Sequence, residues 1–315
     1  AMVIKAYGFE INECTFMRNT CEAGSGVLDC YTSNANTKIN KCDFFSNTAK
    51  MNGAAISFRS GVGIEINECT FVKNTCKEGS GTIHFKFANS NQKIEINKCE
   101  FNESQGQDVH CIDFSDSIDA TINIIESNFN DCGSNGYMIK VQKSVQQILL
   151  QKCSLYFSKD QTTMGLHLNS DRISLIGNTF QHFRNAVVHF PCSSSDEKIE
   201  VVENGFIDCS ESPIFDITGY LKTSPIFKGN TFDNIHSNNP VLRLKFEDNV
   251  NSIVFDNNTF RNFNTNNELG GIGLEIDHVS NEILFNVSFS NCYFINNKNT
   301  NNQQNGGALS FGPKQ

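Results

Sequence analysis

The sequence predicts an all-β fold, a single-stranded parallel β-helix of about eleven stacked three-strand coils. Three observations predict it. One pattern returns every 25 to 34 residues: an apolar-x-apolar pair, Cys or Asn three residues on, Phe two further, a polar loop, and a second apolar-x-apolar pair. A fixed period of this size means one supersecondary unit stacked on itself. The apolar residues alternate with a period of two and are rich in Ile, Val and Phe, so the units are strands. Only 5 Pro occur in 315 residues, as continuous backbone ladders require.

The first strand of each coil is read at Ile64-x-Ile66, Ile94-x-Ile96 and Ile122-x-Ile124. The second carries the repeated ring, at Phe16, Phe44, Phe71, Phe101, Phe129, Leu155, Phe180, Phe206, Phe232, Phe260 and Phe294. Two residues earlier a column runs Cys14, Cys42, Cys69, Cys99, Ser127, Cys153, Asn178, Asn204, Asn230, Asn258 and Cys292. It shares a strand face with the ring and so points inward. Stacked Asn amides satisfy one another there, and Cys substitutes a small buried hydrophobe. The third strand is read at Ile56-Ser57-Phe58, Ile83-His84-Phe85, Leu166-His167-Leu168 and Leu242-Arg243-Leu244, among others. With about 4.8 Å between paired strands, the coils make a rod roughly 50 Å long.

Residues 1–315 read as one domain, because each repeat touches only its neighbours and a solenoid has no natural size limit. Solenoids need polar caps. The chain opens almost directly in a coil and closes at Phe311-Gly312-Pro313, so the expectation is a segment of a longer repeat protein. The net charge of −9 and pI near 5.3 argue against nucleic acid and against anionic membrane surfaces. No run of 18 apolar residues is present, so direct membrane insertion of this segment is not expected.

The 13 cysteines follow the coil period, without a Cys-x-x-Cys pair, so neither a metal nor another cofactor is expected. Buried thiols are the favoured reading, with Cys30 and Cys111 at or near inward third-strand positions. Bridges Cys14–Cys42 and Cys69–Cys99 stay open as alternatives. Cys21, Cys76, Cys132 and Cys209 read as loop residues after the Phe, better placed for bridging.

Phe-x-x-Asn stands at Phe16 to Asn19, Phe44 to Asn47, Phe71 to Asn74 and Phe294 to Asn297. Gly306-Gly307-Ala308-Leu309 stands once, with looser forms at Gly53-Ala54-Ala55-Ile56, Gly24-Ser25-Gly26-Val27 and Gly79-Ser80-Gly81-Thr82-Ile83. In these motifs the chain resembles the polymorphic outer membrane proteins known in chlamydiae and, in similar form, in protists. In its stacked Asn it resembles right-handed parallel β-helices of pectate-lyase-like shape. The resemblance spans the chain as architecture and its two ends as motif; coils five to ten lack the glycine signature. It implies a surface-displayed, adhesive segment without catalytic apparatus.

In pectate-lyase-like enzymes the outward face of the third-described strand carries the substrate cleft. That column here reads Asp29, Ser57, His84, Asp113, Lys140, His167, His189, Asp216, Arg243, Glu275 and Ser310. Ionisable groups stacked this closely shift one another's pKa values. His167, His189, Asp216 and Arg243 are therefore the catalytic candidates of an alternative reading, a polysaccharide lyase or glycoside hydrolase. The structural reading is that outward positions are polar and cross-strand charges stabilise the sheet. Of the polygalacturonase-like motifs only Arg243-Leu244-Lys245 matches, and no Trp offers a sugar platform. The favoured function is a non-catalytic cell-surface or extracellular rod that meets a protein or glycan on a host or neighbouring cell.

Overall fold

The computed structural model describes residues 2–22, 24, 26–32, 36–86, 92–114, 119–133, 136–161, 164–191, 198–211, 213–217, 221–238, 240–246, 250, 252–266, 272–278, 286–300 and 309–312. The chain is an all-β parallel solenoid. Its three long faces are sheets of 11, 11 and 12 strands, and every strand pairs with its copy in the adjacent coil. First-face strands such as Gly63–Asn67 and Gln92–Asn97 stack in register, Ile64 on Ile94 and Ile66 on Ile96. On the second face Phe71 stands between Phe44 and Phe101. On the third, Leu166 stacks on Val188 and Val188 on Phe215. Residues 306–308 of the glycine motif lie outside the described residues.

The ring column stacks face to face. Centroids from Phe16 through Phe129 lie 4.8–4.9 Å apart, and from Phe180 through Phe294 4.9–5.2 Å apart. Leu155 takes the rung between Phe129 and Phe180. Two further stacks complement it: Phe58, Phe85 and Phe114 on the third face near one end, and Phe227, Phe255 and Phe289 on the first face near the other. These residues form one continuous apolar core along the solenoid.

A tight turn joins first and second faces in each coil. Its residue, from Glu13, Lys41, Glu68, Lys98, Glu126 and Lys152 through Gly177, Glu203, Gly229, Asn257 and Asn291, has φ between 50° and 65°. Glu and Lys tolerate this left-handed conformation because their N–H groups are claimed by the next coil, as in Glu13 to Asn40 O and Lys41 to Asn67 O. The turn re-aims the next side chain inward, which creates the ladder position.

That ladder is continuous, and its members do the same work whatever their chemistry. Asn178, Asn204 and Asn230 each donate through Nδ2 to the Oδ1 of the next Asn at 2.9–3.1 Å. The same Oδ1 atoms accept the backbone N–H of the preceding rung. Each amide also donates to a first-face carbonyl one coil back, Asn204 to Leu175 O at 2.8 Å. The thiols copy this: Cys42 Sγ accepts the Cys14 N–H, while Cys69 Sγ donates to Ile39 O at 3.4 Å and Cys99 Sγ to Ile66 O at 3.5 Å. Cys14 is exposed and Cys292 partly so, and the thiols between them are buried.

The structure adds a second inward ladder, three residues after the Phe. Asn47 Nδ2 donates to Asn74 Oδ1 at 3.0 Å and to Phe16 O at 2.9 Å, and Asn297 donates to Phe260 O. Cys132 and Cys209 belong to this column, each with its thiol toward the carbonyl of the Phe one coil back. They are buried core residues, not loop residues. Cys21 and Cys76 sit in two-residue strands, Thr20–Cys21 and Thr75–Cys76, of a short fourth sheet. All twelve described cysteines are unbridged.

Candidate functional site

The outward third-face column is continuous in register. Asp29 pairs with Ser57, Ser57 with His84, His84 with Asp113, Asp113 with Lys140, Lys140 with His167, His167 with His189, His189 with Asp216 and Asp216 with Arg243. The structure thus brings the four catalytic candidates together on successive rungs. Glu275 is the next rung after Arg243, and its side chain, like Ser310, lies outside the described side chains.

The column is not solvent-facing throughout, contrary to the expectation for an outward face. Asp29, Ser57, His84 and Asp113 are 9%, 1%, 3% and 3% exposed, whereas the rungs from Lys140 to Arg243 are half-buried. For Ser57, His84 and Asp113 the cause is the glycine turn of the preceding coil. Gly26, Gly53 and Gly81 have φ of 69°, 73° and 75° and fold back over the next coil's column residue. A Cβ on Gly53 would stand 3.2 Å from His84 Cβ, and one on Gly81 3.2 Å from Asp113 Cβ. Where the glycine motif is lost, the column opens.

In the open half the side chains turn to one another. His167 Nδ1 and His189 Nδ1 are 2.9 Å apart, so one ring donates and the other accepts. Both rings therefore cannot be doubly protonated at once. Burial, with His189 and Lys140 nearby, pushes His167 down to about 4. Burial also lowers His189, and Asp216 partly opposes the shift. Arg243 Nη1 donates to Asp216 Oδ1 at 3.3 Å. Tyr137 flanks His167, ring centroids 5.1 Å apart, with Lys140 over its face.

Chemically, this is a poor acid–base site. A base with a pKa near 4 is weak at neutral pH. A glycosidase needs two carboxyl groups across the scissile bond, and Asp216 has His189 and Arg243 on its adjacent rungs.

Concave surface lies elsewhere. One cleft of about 770 Å³ is lined by His182, Asp208, Glu211, Asn234, His236, Asn264 and neighbours. Another, of about 460 Å³, runs along a half-buried amide ladder, Asn12, Asn40, Asn67 and Asn97, flanked by Glu13, Lys41, Glu68 and Lys98. Sequence reasoning missed both. The signal for the first was a polar column two residues after Phe180, Phe206 and Phe232, namely His182, Asp208 and Asn234. No His, Cys, Asp and Glu group suited to a metal ion occurs among the described residues.

Compared with known proteins, the chain matches no family model, no curated protein and no solved structure.

Proposed function

We propose that this solenoid is a non-catalytic rod, displayed at a cell surface or outside the cell, that presents an ordered side-chain lattice to a protein or glycan partner. The observation that carries the reading is the pairing of outward polar groups along the rod. Arg243 holds Asp216, Arg59 holds Asp29 at 2.8 Å, Arg261 holds Asp233 at 2.7 Å, and Lys38 holds Glu65 at 2.8 Å. His167 and His189 hold each other. Side chains committed to coil neighbours stiffen a surface and hold its spacing fixed, which suits display; a reacting centre instead keeps a base available. Each exposed pair stabilises little alone, so what the lattice supplies is regularity.

The Phe-x-x-Asn and glycine-turn motifs support placing the chain beside the polymorphic outer membrane proteins in shape and role. The Asn ladder supports the pectate-lyase-like coil. The test coats beads with the full chain and scores adhesion to cell surfaces, while pectic and other polysaccharides are assayed for new reducing ends or unsaturated products. Adhesion without bond cleavage is expected. Sustained product release that disappears in Asp216→Asn would replace this reading with the carbohydrate-active one.

A further inference from the structure

The larger cleft has a composition that specifies its ligand. It runs from His182 past Asp208, Asn234 and Asn264 to Thr300, one contribution from each of five successive coils. Four steps of roughly 4.8 Å make a trough about 19 Å long. Such a shape suits an extended chain.

The walls are fixed from within. His182, Asp208, Glu211 and Asn234 all sit at positive φ, between 53° and 69°, so their side chains splay outward from tight turns. His182 Nδ1 donates to Phe157 O at 2.6 Å, and its Nε2 stands 3.2 Å from Asp208 Oδ2. Asn234 Nδ2 donates to Asp208 Oδ1 at 2.6 Å, and His236 Nε2 donates to Asn234 Oδ1 at 2.9 Å. One hydrogen-bonded line thus joins the coils of Asp208 and Asn234, with the His182 ring against its Asp208 end. Arg184 braces the fourth wall residue, Glu211, at 2.6 Å.

Three ligand classes fit badly. None of the lining side chains is aliphatic or phenyl, so a folded protein partner finds no apolar anchor for a hot spot. The backbones of His236–Ser237, Asn264–Thr265 and Lys298–Asn299 are paired to one another across the coils, so an extended peptide lying along the trough crosses these strands and cannot add to them as a further strand. Asp208 and Glu211 repel polyanions. What remains served by amides, hydroxyls and imidazoles in register is a chain of hydroxyl groups, which donates and accepts at every unit.

We propose that this trough binds an extended neutral oligosaccharide. The proposal rests on the display reading and names its partner's chemistry. His236, Asn264 and Asn266, exposed on the trough wall, contact the sugar hydroxyls, while His182 and Asp208 position the wall.

The test presents the full chain to immobilised neutral oligosaccharides, with uronic-acid and sulfated chains alongside, and follows retained sugars by calorimetry. Neutral chains are expected to be retained and acidic ones not. His236→Ala combined with Asn264→Ala should weaken binding roughly tenfold or more, given two lost hydrogen-bonding contacts. Asn40→Ala, in the other cleft, should leave affinity unchanged. Both substituted trough residues are exposed, and the one hydrogen bond removed, His236 to Asn234, is exposed as well, so the double variant should melt close to wild type. Retention of acidic glycans alone, no retained neutral glycan, or undiminished binding by the double variant overturns the inference. Any of these leaves the display reading intact so long as the coated beads adhere and no glycosidic bond is cut, because absent adhesion or sustained product release is what removes that reading.

Discussion

A thiol can stand in for a carboxamide along the inner ladder because the position asks for one acceptor and one donor along fixed directions. Asn204 Oδ1 accepts the Asn178 N–H and its Nδ2 reaches Leu175 O, while Cys69 Sγ accepts the Cys42 N–H and reaches Ile39 O. A weak thiol bond still satisfies a buried group. Asn204→Cys should therefore cost less than Asn204→Ala, about 1–2 kcal/mol against about 3–5, since Ala leaves several buried groups unpaired. Urea unfolding midpoints check the order, and equal costs would show that volume alone matters. The histidine pair makes a pH prediction. The folded-state value of His167, about 4, lies below the usual value near 6.5. The unfolded chain then binds the proton more readily, so this contribution is present above pH about 6.5 and is lost as pH falls toward about 4. Discounted for partial exposure, the loss is roughly 1–2 kcal/mol. His167→Gln should lose less stability than wild type between pH near 7.5 and near 4.5. The same loss in both proteins would remove the pair from the account.

At the scale of the strand and turn, the glycines divide by what a Cβ would meet. Gly81 has φ of 75°, and a Cβ there would lie 2.7 Å from Ile83 O and 3.2 Å from Asp113 Cβ. Gly177 has φ of 64°, with Lys152 Cγ nearest at 3.7 Å, and it occupies the turn column where Glu and Lys stand in other coils. Gly81→Ala should cost about 2–4 kcal/mol through clash and left-handed strain, and Gly177→Ala about 1 kcal/mol through strain alone. Thermal melts of the two variants decide it, and equal shifts would contradict the turn-cover account. Strand periodicity, the Phe column and the first ladder were legible in the sequence, because inward positions at period two need similar volumes in every coil. The second ladder was not, although Asn19, Asn47 and Asn74 recur at fixed spacing: polar residues after a strand look like loop until the backbone shows them turned inward. The buried half of the charged column was hidden for the converse reason. Alternation says that His84 and Asp113 face away from the core, but not that the preceding turn covers them. The trough was missed because its residues come from five coils and share no contiguous motif.

Along the whole molecule the two ladders exchange chemistry. Where the first holds Cys14, Cys42 and Cys69, the second holds Asn19, Asn47 and Asn74; where the first holds Asn178, Asn204, Asn230 and Asn258, the second holds Phe183, Cys209, Ile235 and Phe263. At Cys292 the second returns to Asn297. Nearly every coil thus carries one bracing amide at one of its two turns. The exceptions adjoin one another, with Cys99 and Ser104, then Ser127 and Cys132, then Cys153, where the residue three after Leu155 is the exposed Ser158 and the buried Phe157 stands one residue earlier. Leu155 also interrupts the ring stack there, and the Ser104 hydroxyl is buried without a partner among the described residues. A solenoid's stability is close to a sum of coil and interface contributions, so the handover should open first. Hydrogen exchange should show the least protected amides among the buried strands between Glu100 and Tyr156. Ser104→Asn should repair it. By the pattern of Asn47 and Asn74, its Oδ1 would accept the Asn74 N–H and its Nδ2 would reach Phe71 O. A gain of about 1–2 kcal/mol, two net hydrogen bonds, should appear in the unfolding midpoint, with slower exchange in the adjacent coils and unchanged exchange beyond Asn204. If the substitution destabilises the chain, or slows exchange uniformly along it, the ladders do not brace the coils locally.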